Sequence, residues 1–212
     1  RIGLKVVNPT GSLESVGSFD MPYAVPLVQA QAPDSNWIVI SGGRSIKSVE
    51  WGVLDSSAMA PGATSPELSY EAVGVAGIVT AWLSPYRPIP TEEDVVEAQA
   101  AKRKLAPAPM FITTIGVVAA PSPSNGAGLV GFLETARLNA CSLTWISNAG
   151  ICNSLSQKLA AASASLVRGD TTAARNQLGA FQNELDAQRG KHVSDNAYWL
   201  LKTNAAYVLA HL

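Results

Sequence analysis

The stretch that decides the fold is "LVRGDTTAARNQL", residues 166–178, because it contains Arg168-Gly169-Asp170, a tripeptide displayed by integrin-binding adhesins. It also reads as a corner between two helices. Glycine adopts a left-handed helix C-cap at little cost, and aspartate is a preferred N-cap whose carboxylate accepts a backbone N–H from the next turn. A cation such as Arg168 near a helix C-terminus is favoured by roughly 0.3–1 kcal/mol. The corner accounts for all three residues, and it is the reading adopted.

On either side of that corner the apolar residues recur at helical spacing. Upstream, Leu155, Leu159, Ala162 and Leu166 form one stripe, and downstream Ala174, Leu178, Phe181 and Leu185 form the next. Two further stripes follow the same rule: Leu129, Leu133, Ala136, Ala140 and Leu143 before them, and Ala197, Leu201, Ala205, Val208 and Leu212 after. Steps of three and four place each set on a single helix face. Short connections favour antiparallel neighbours, so residues 128–212 are predicted to form a four-helix up-and-down bundle.

The composition changes at "APSPSNGAG", and residues 121–127 are taken as a linker. Before it, runs rich in Val, Ile, Trp and Tyr alternate with turn residues: "IGLKVVNPTG", "NWIVISGG", "SIKSVEWGVLD", "PELSYEAVG" and "MFITTIGVV". In "SVEWGVL", Val49, Trp51 and Val53 share one face, which fits an antiparallel β-sandwich over residues 1–120. One helix is expected within it, near residues 92–104, where Thr91 and Asp94 imitate a capping box ahead of "VVEAQAAKRK". The expected fold class is therefore α+β multidomain.

At this point the helical half carries a resemblance. Trp145, Gly150, Asn153-Ser154-Leu155, Lys158-Leu159, the Arg168-Gly169 turn, Ala180-Phe181, Ala187-Gln188 and Gly190-Lys191 resemble the pattern of the FIMAH domain. That domain is a small helical module at the C-terminal ends of many secreted bacterial proteins, and the resemblance covers residues 128–212. It implies an extracellular, non-catalytic accessory module and brings no ligand with it. Trp199 departs from the pattern, standing where a smaller residue is expected. The first half resembles, more loosely, sandwich segments of secreted proteins through Trp51, Pro61-Gly62, "ELSYEA" and Gly77-Ile78.

Compartment follows from several signals. The chain opens on Arg1 and enters a strand-like run directly, as a chain does after removal of a leader. Cys141 and Cys152 bracket "SLTWISNAG" between the first and second helices. A reversal of the chain there would bring them together as a disulfide, with two buried free thiols as the competing arrangement. No apolar run reaches the roughly 18–20 residues needed to span a bilayer; "MFITTIGVVAA" falls short and ends in "PSPS". Secretion, to the exterior or the periplasm, is the expectation.

The same sequence narrows the function. A net charge of -1, with 15% charged residues, supplies no field to attract nucleic acid. His192 and His211 are the only histidines, and neither has a second ligand at metal spacing. Ser41-Gly42-Gly43-Arg44-Ser45 lacks the helix and lysine of a phosphate loop and reads as a hairpin turn. Glu92, Glu93 and Asp94 read as a solvated first helical turn. No enzyme, cofactor or metal is expected.

Aromatic side chains remain as recognition groups. Trp199 and Lys202 fall on the face of the last helix opposite its apolar stripe, and Trp82 and Tyr86 lie in the proline-rich "AWLSPYRPIP". These four residues are the candidate interface. The expected function is association with a protein partner, as an accessory or structural subunit of a larger extracellular or membrane-attached assembly. Carbohydrate binding by the sandwich is the alternative, and an unrecognised enzyme the second alternative.

Overall fold

The fold was established from a computed structural model, which describes residues 2–8, 15–23, 25–41, 48–53, 58–86, 110–122 and 125–212. The helix expected near residues 92–104, with its acidic trio, and the Gly42–Gly43 turn fall outside the described residues.

Among the described residues, strands β1 (Ile2–Leu4), β2 (Val16–Pro22), β3 (Leu27–Gln31), β4 (Trp37–Ser41), β5 (Ser48–Val53), β6 (Leu68–Ala72), β7 (Val75–Pro85) and β8 (Met110–Val118) precede four helices. The helices are α1 (Gly126–Ser142), α2 (Ala149–Val167), α3 (Thr171–Gln188) and α4 (Asp195–Ala210). The strands form two sheets, ordered β1-β6-β3 and β4-β5-β2-β7-β8. Pairing of β5 with both β2 and β4, of β2 with β7, and of β6 with β1 and β3 is antiparallel. The fold class is mixed α+β, as the sequence led us to expect.

Period-two alternation makes the sandwich core. Phe19 and Met21 of β2, Val49 and Trp51 of β5, and Ala81 and Leu83 of β7 are fully buried, while Ser18, Glu50 and Trp82 point to the other face. Trp51 joins the two sheets. Its ring stacks on Phe19 at 5.8 Å, meets Tyr70 of β6 edge-on at 6.0 Å, and its indole N–H donates to the Gln31 carbonyl at 3.0 Å. A buried Trp needs such a partner for its polar atom, and β3 supplies it.

Three of these strands were not expected. β2 carries Gly17, Asp20 and Pro22, and β3 is only "LVQAQ", so neither resembles an isolated strand. β7 runs eleven residues from Val75 to Pro85 and takes in the first half of the proline-rich "AWLSPYRPIP", which places Trp82 inside the sheet, opposite Asp20.

The chain separates into two compact units, one of Arg1–Ala72 with Val79–Gly116, the other of Val73–Ile78 with Val117–Leu212. The tip between β6 and β7 thus belongs with the helices. Its Ala76 carbonyl accepts from the buried Asn204 Nδ2 at 2.9 Å.

In the helical unit each helix packs on the next, and α4 closes against α1. Every helix begins on a capping side chain: Asn125 accepts from Gly128 N–H, Asn148 from Gly150 and Ile151, Asp170 from Ala173, and Ser194 from Ala197. Gly169 turns the α2–α3 corner at φ +78°. The expected stripes are buried except for their terminal residues Leu143, Leu166 and Leu212, which are half-buried at the bundle ends.

Cys141 and Cys152 are joined, with Cα atoms 6.3 Å apart. Beside them lies a network that the apolar stripes concealed. Arg137 of α1, only 6% exposed, forms a two-pronged pair with Glu134 at 2.6 and 2.7 Å and donates to the Cys152 carbonyl at 3.2 Å. Ser156 of α2 donates to Glu134 at 3.0 Å. Burial opposes ionisation of Glu134, but the Arg137 and Ser156 hydrogen bonds outweigh it and hold its carboxyl below the usual range.

Candidate functional site

The outer side of α4 gathers aromatic and charged side chains from three places. α3 supplies Asp186, the connection after α3 supplies Arg189, and α4 supplies Asp195, Tyr198, Trp199 and Lys202. The connection is fixed locally: Gly190 takes φ +73°, and its N–H donates to the Val193 carbonyl at 2.9 Å. Arg189 is thereby aimed back over α4.

Its guanidinium lies 4.3 Å from the Tyr198 ring centre and 5.1 Å from that of Trp199, while Nε donates to Asp195 at 2.8 Å. The two rings meet edge-on at 5.1 Å. Asp186 accepts from the Tyr198 hydroxyl at 2.9 Å and from Lys202 at 2.6 Å. The Lys202 hydrogen bond is the main reason the Asp186 carboxyl is held below its usual range; its slight desolvation works the other way, and Tyr198 and Arg189 add to the lowering. Asp195 likewise raises the Arg189 guanidinium above its ordinary value, against a small cost of burial.

The cluster is charge-balanced pair by pair and partly open. Asp195 and Asp186 are 51% and 46% exposed as side chains, and the two rings are half-buried. Trp199 is therefore not an isolated ring on the helix surface, as its position opposite the apolar stripe suggested; it is braced by Arg189 and Tyr198. The same bracing suits it to contact, because a ring held in one orientation loses little side-chain entropy on binding.

Trp82 and Tyr86 are placed differently. Trp82 lies across from Asp20 in the β2–β7 register and donates to its carboxylate, and Ser18 approaches at 3.5 Å. Tyr86 follows β7, its N–H donating to the Ser15 carbonyl at 2.7 Å, and Gly17 admits that backbone because a Cβ there would lie 2.6 Å from Tyr86 Cα. Four residues of extended chain separate the two rings by about 13 Å along the strand, too far for one continuous aromatic strip.

Asp20 itself was missed. It is 9% exposed and faces Glu50 in the β2–β5 register; burial, then the charge of Glu50, push its carboxyl up to about 6. A single Asp in "GSFDMP" gives no sign of this, since Glu50 becomes its neighbour only through sheet pairing.

The Arg168–Asp170 corner is exposed: Asp170 caps α3 as expected, accepting from Ala173 N–H at 2.9 Å, and Arg168, the C-cap of α2, donates to the Ser165 hydroxyl at 3.2 Å.

Residues 142–210 match the FIMAH domain. The match is shorter than the 128–212 expected, and α1 lies outside it except for Ser142. Cys152 is inside the FIMAH region and Cys141 one residue before it, so the disulfide and the Arg137 network fasten a helix external to the match onto it. All six residues of the α4 cluster lie within the FIMAH region. The N-terminal half matches no family, and no curated protein matches the chain. No described helix is long and apolar enough to cross a membrane.

Proposed function

We propose that the protein is an extracellular, non-enzymatic accessory protein that works by protein–protein association, with the outer side of α4 as its contact face. The observation that carries this is the Arg189–Tyr198–Trp199 stack: a large aromatic pair held rigid at the surface and ringed by ion pairs, inside the FIMAH region. Fixed aromatic and arginine side chains of this kind are the groups that carry most of the energy of protein interfaces. The FIMAH match itself suggests an accessory module, and a disulfide fits an oxidising compartment. Among the described residues the sheet unit offers no comparable group of aromatics for a sugar, since Trp82 is tied to Asp20.

The test is a parallel capture from the native extracellular fraction with wild-type and Trp199→Ala protein. A partner held by the wild type should be lost by the variant, by about 2 kcal/mol or more in affinity, while the melting temperature changes little. Equal retention by both, or no partner for either, refutes the proposal.

A further inference from the structure

A strand at the edge of a sheet leaves one side of its backbone unpaired, and soluble proteins protect such an edge with lysine, proline, a bulge or a covering segment. β3, an edge of the smaller sheet, follows Pro26 and carries a register shift between Leu27 and Gln29. β4, an edge of the larger sheet, shows no such device among the described residues. Its sequence, Trp37-Ile38-Val39-Ile40-Ser41, contains no charge and no proline, and its register with β5 runs without interruption from Trp37 to Ser41. Among the described residues no strand pairs with its other side. Ile38 and Ile40 point to the same face and are 43% and 52% exposed. Ser41, the last residue of the strand, borders a groove of about 500 Å³ whose other lining residues lie between Tyr23 and Ala30.

We infer that β4 is a self-association edge, pairing antiparallel with β4 of a second copy of this chain about a two-fold axis at Val39. The choice of occupant follows from the sequence of the strand. Centred on Val39, the antiparallel register sets Ile38 of each copy against Ile40 of the other and Trp37 against Ser41, so the edge is complementary to itself in shape and polarity. Cross-strand pairs of β-branched side chains are among the favourable ones, and an isologous contact of this kind closes as a dimer. Electrostatics do not oppose it. The chain has a net charge of -1, and Glu50, opposite Ile40 on β5, would lie three strand spacings from its counterpart, roughly 14 Å, beyond the screening length at physiological salt. The outcome is one continuous sheet built from the five-stranded sheets of both copies. None of these residues belongs to the α4 cluster, and the inference does not depend on it.

The experiment is sedimentation of the full chain over a concentration series, with two doubly charged variants, Ile38→Lys/Ile40→Lys and Ile38→Glu/Ile40→Glu. The wild type should dimerise, each variant should associate at least tenfold more weakly because like charges then face each other, and an equimolar mixture should recover the dimer through Lys–Glu pairs. Hydrogen exchange on the wild type covers the case in which a variant misfolds: protection of the β4 amides should rise with protein concentration. A wild-type chain that stays monomeric, β4 amides indifferent to concentration, or folded variants that dimerise as well as wild type or fail to recover on mixing, each overturns the inference.

Discussion

Replacing Asp20 by Asn should stabilise the protein near neutral pH and remove a pH dependence that the wild type shows in mild acid. The carboxyl stands at about 6 in the folded chain against an ordinary 3.8, because it is buried beside Trp82 and faces Glu50. Between those two values the folded state holds a proton that the unfolded state has lost. Unfolding then releases a proton, so stability falls as pH rises through that window. The group's favourable contribution is complete below about pH 4 and gone above about pH 6. Two units correspond to about 3 kcal/mol at most. Residual contact with water brings the expectation to roughly 1–2 kcal/mol. The amide keeps the shape, still accepts from Trp82, and carries no charge. Denaturant unfolding of wild type and Asp20→Asn from pH 3.5 to 8 should show the stability difference growing in favour of the variant as pH rises from about 4 to 6, then levelling. Carboxyl NMR gives the direct check: Asp20 should titrate near 6, and Glu50→Gln should lower it. A stability difference independent of pH, or an Asp20 that titrates near 4, would refute the account of this face of the sheet.

Further expectations concern the helical unit. Alkylation without reduction should leave Cys141 and Cys152 unmodified, and replacing both by Ser should cost about 3 kcal/mol for a loop of this length in the chain-entropy model, measured by denaturant unfolding. Two labelled thiols in protein from the native source would contradict both the bridge and the oxidising compartment. Asp170→Ala should cost about 1 kcal/mol through loss of the cap on α3, whereas Asp170→Asn should be nearly neutral; thermal melting distinguishes them. Loss of cell adhesion in an Asp170→Glu variant with unchanged melting would instead revive the adhesive use of the tripeptide.

The helices were legible because what specifies them is local. Each cap sits within three residues of the N–H it accepts, the backbone bonds span one turn, and the stripe Ala174, Leu178, Phe181, Leu185 records which side faces the core. The Arg168–Asp170 corner could be resolved on the same grounds, with Gly169 and Asp170 each suited to its own backbone position. Polar residues inside those faces were not legible. Arg137 and Asn204 carry no mark in the sequence of being buried, and only the approach of Glu134 and the Cys152 carbonyl, or of Ala76, makes burial tolerable.

In the sheets the balance is reversed. "SVEWGVL" declared itself by alternation, but β2, β3 and β7 are strands because distant segments pair with them, and Gly17, Asp20 and Pro22 would each argue against a strand taken alone. The features that bear on function follow the same division. The sequence placed Trp199 and Lys202 on the outer side of the last helix, since helical phase is a local property. That Arg189 covers Trp199, that Asp186 holds Lys202, and that Asp20 meets Glu50 and Trp82 were decided by tertiary structure, because each is a meeting of side chains whose distance apart the backbone fixes only once it has folded.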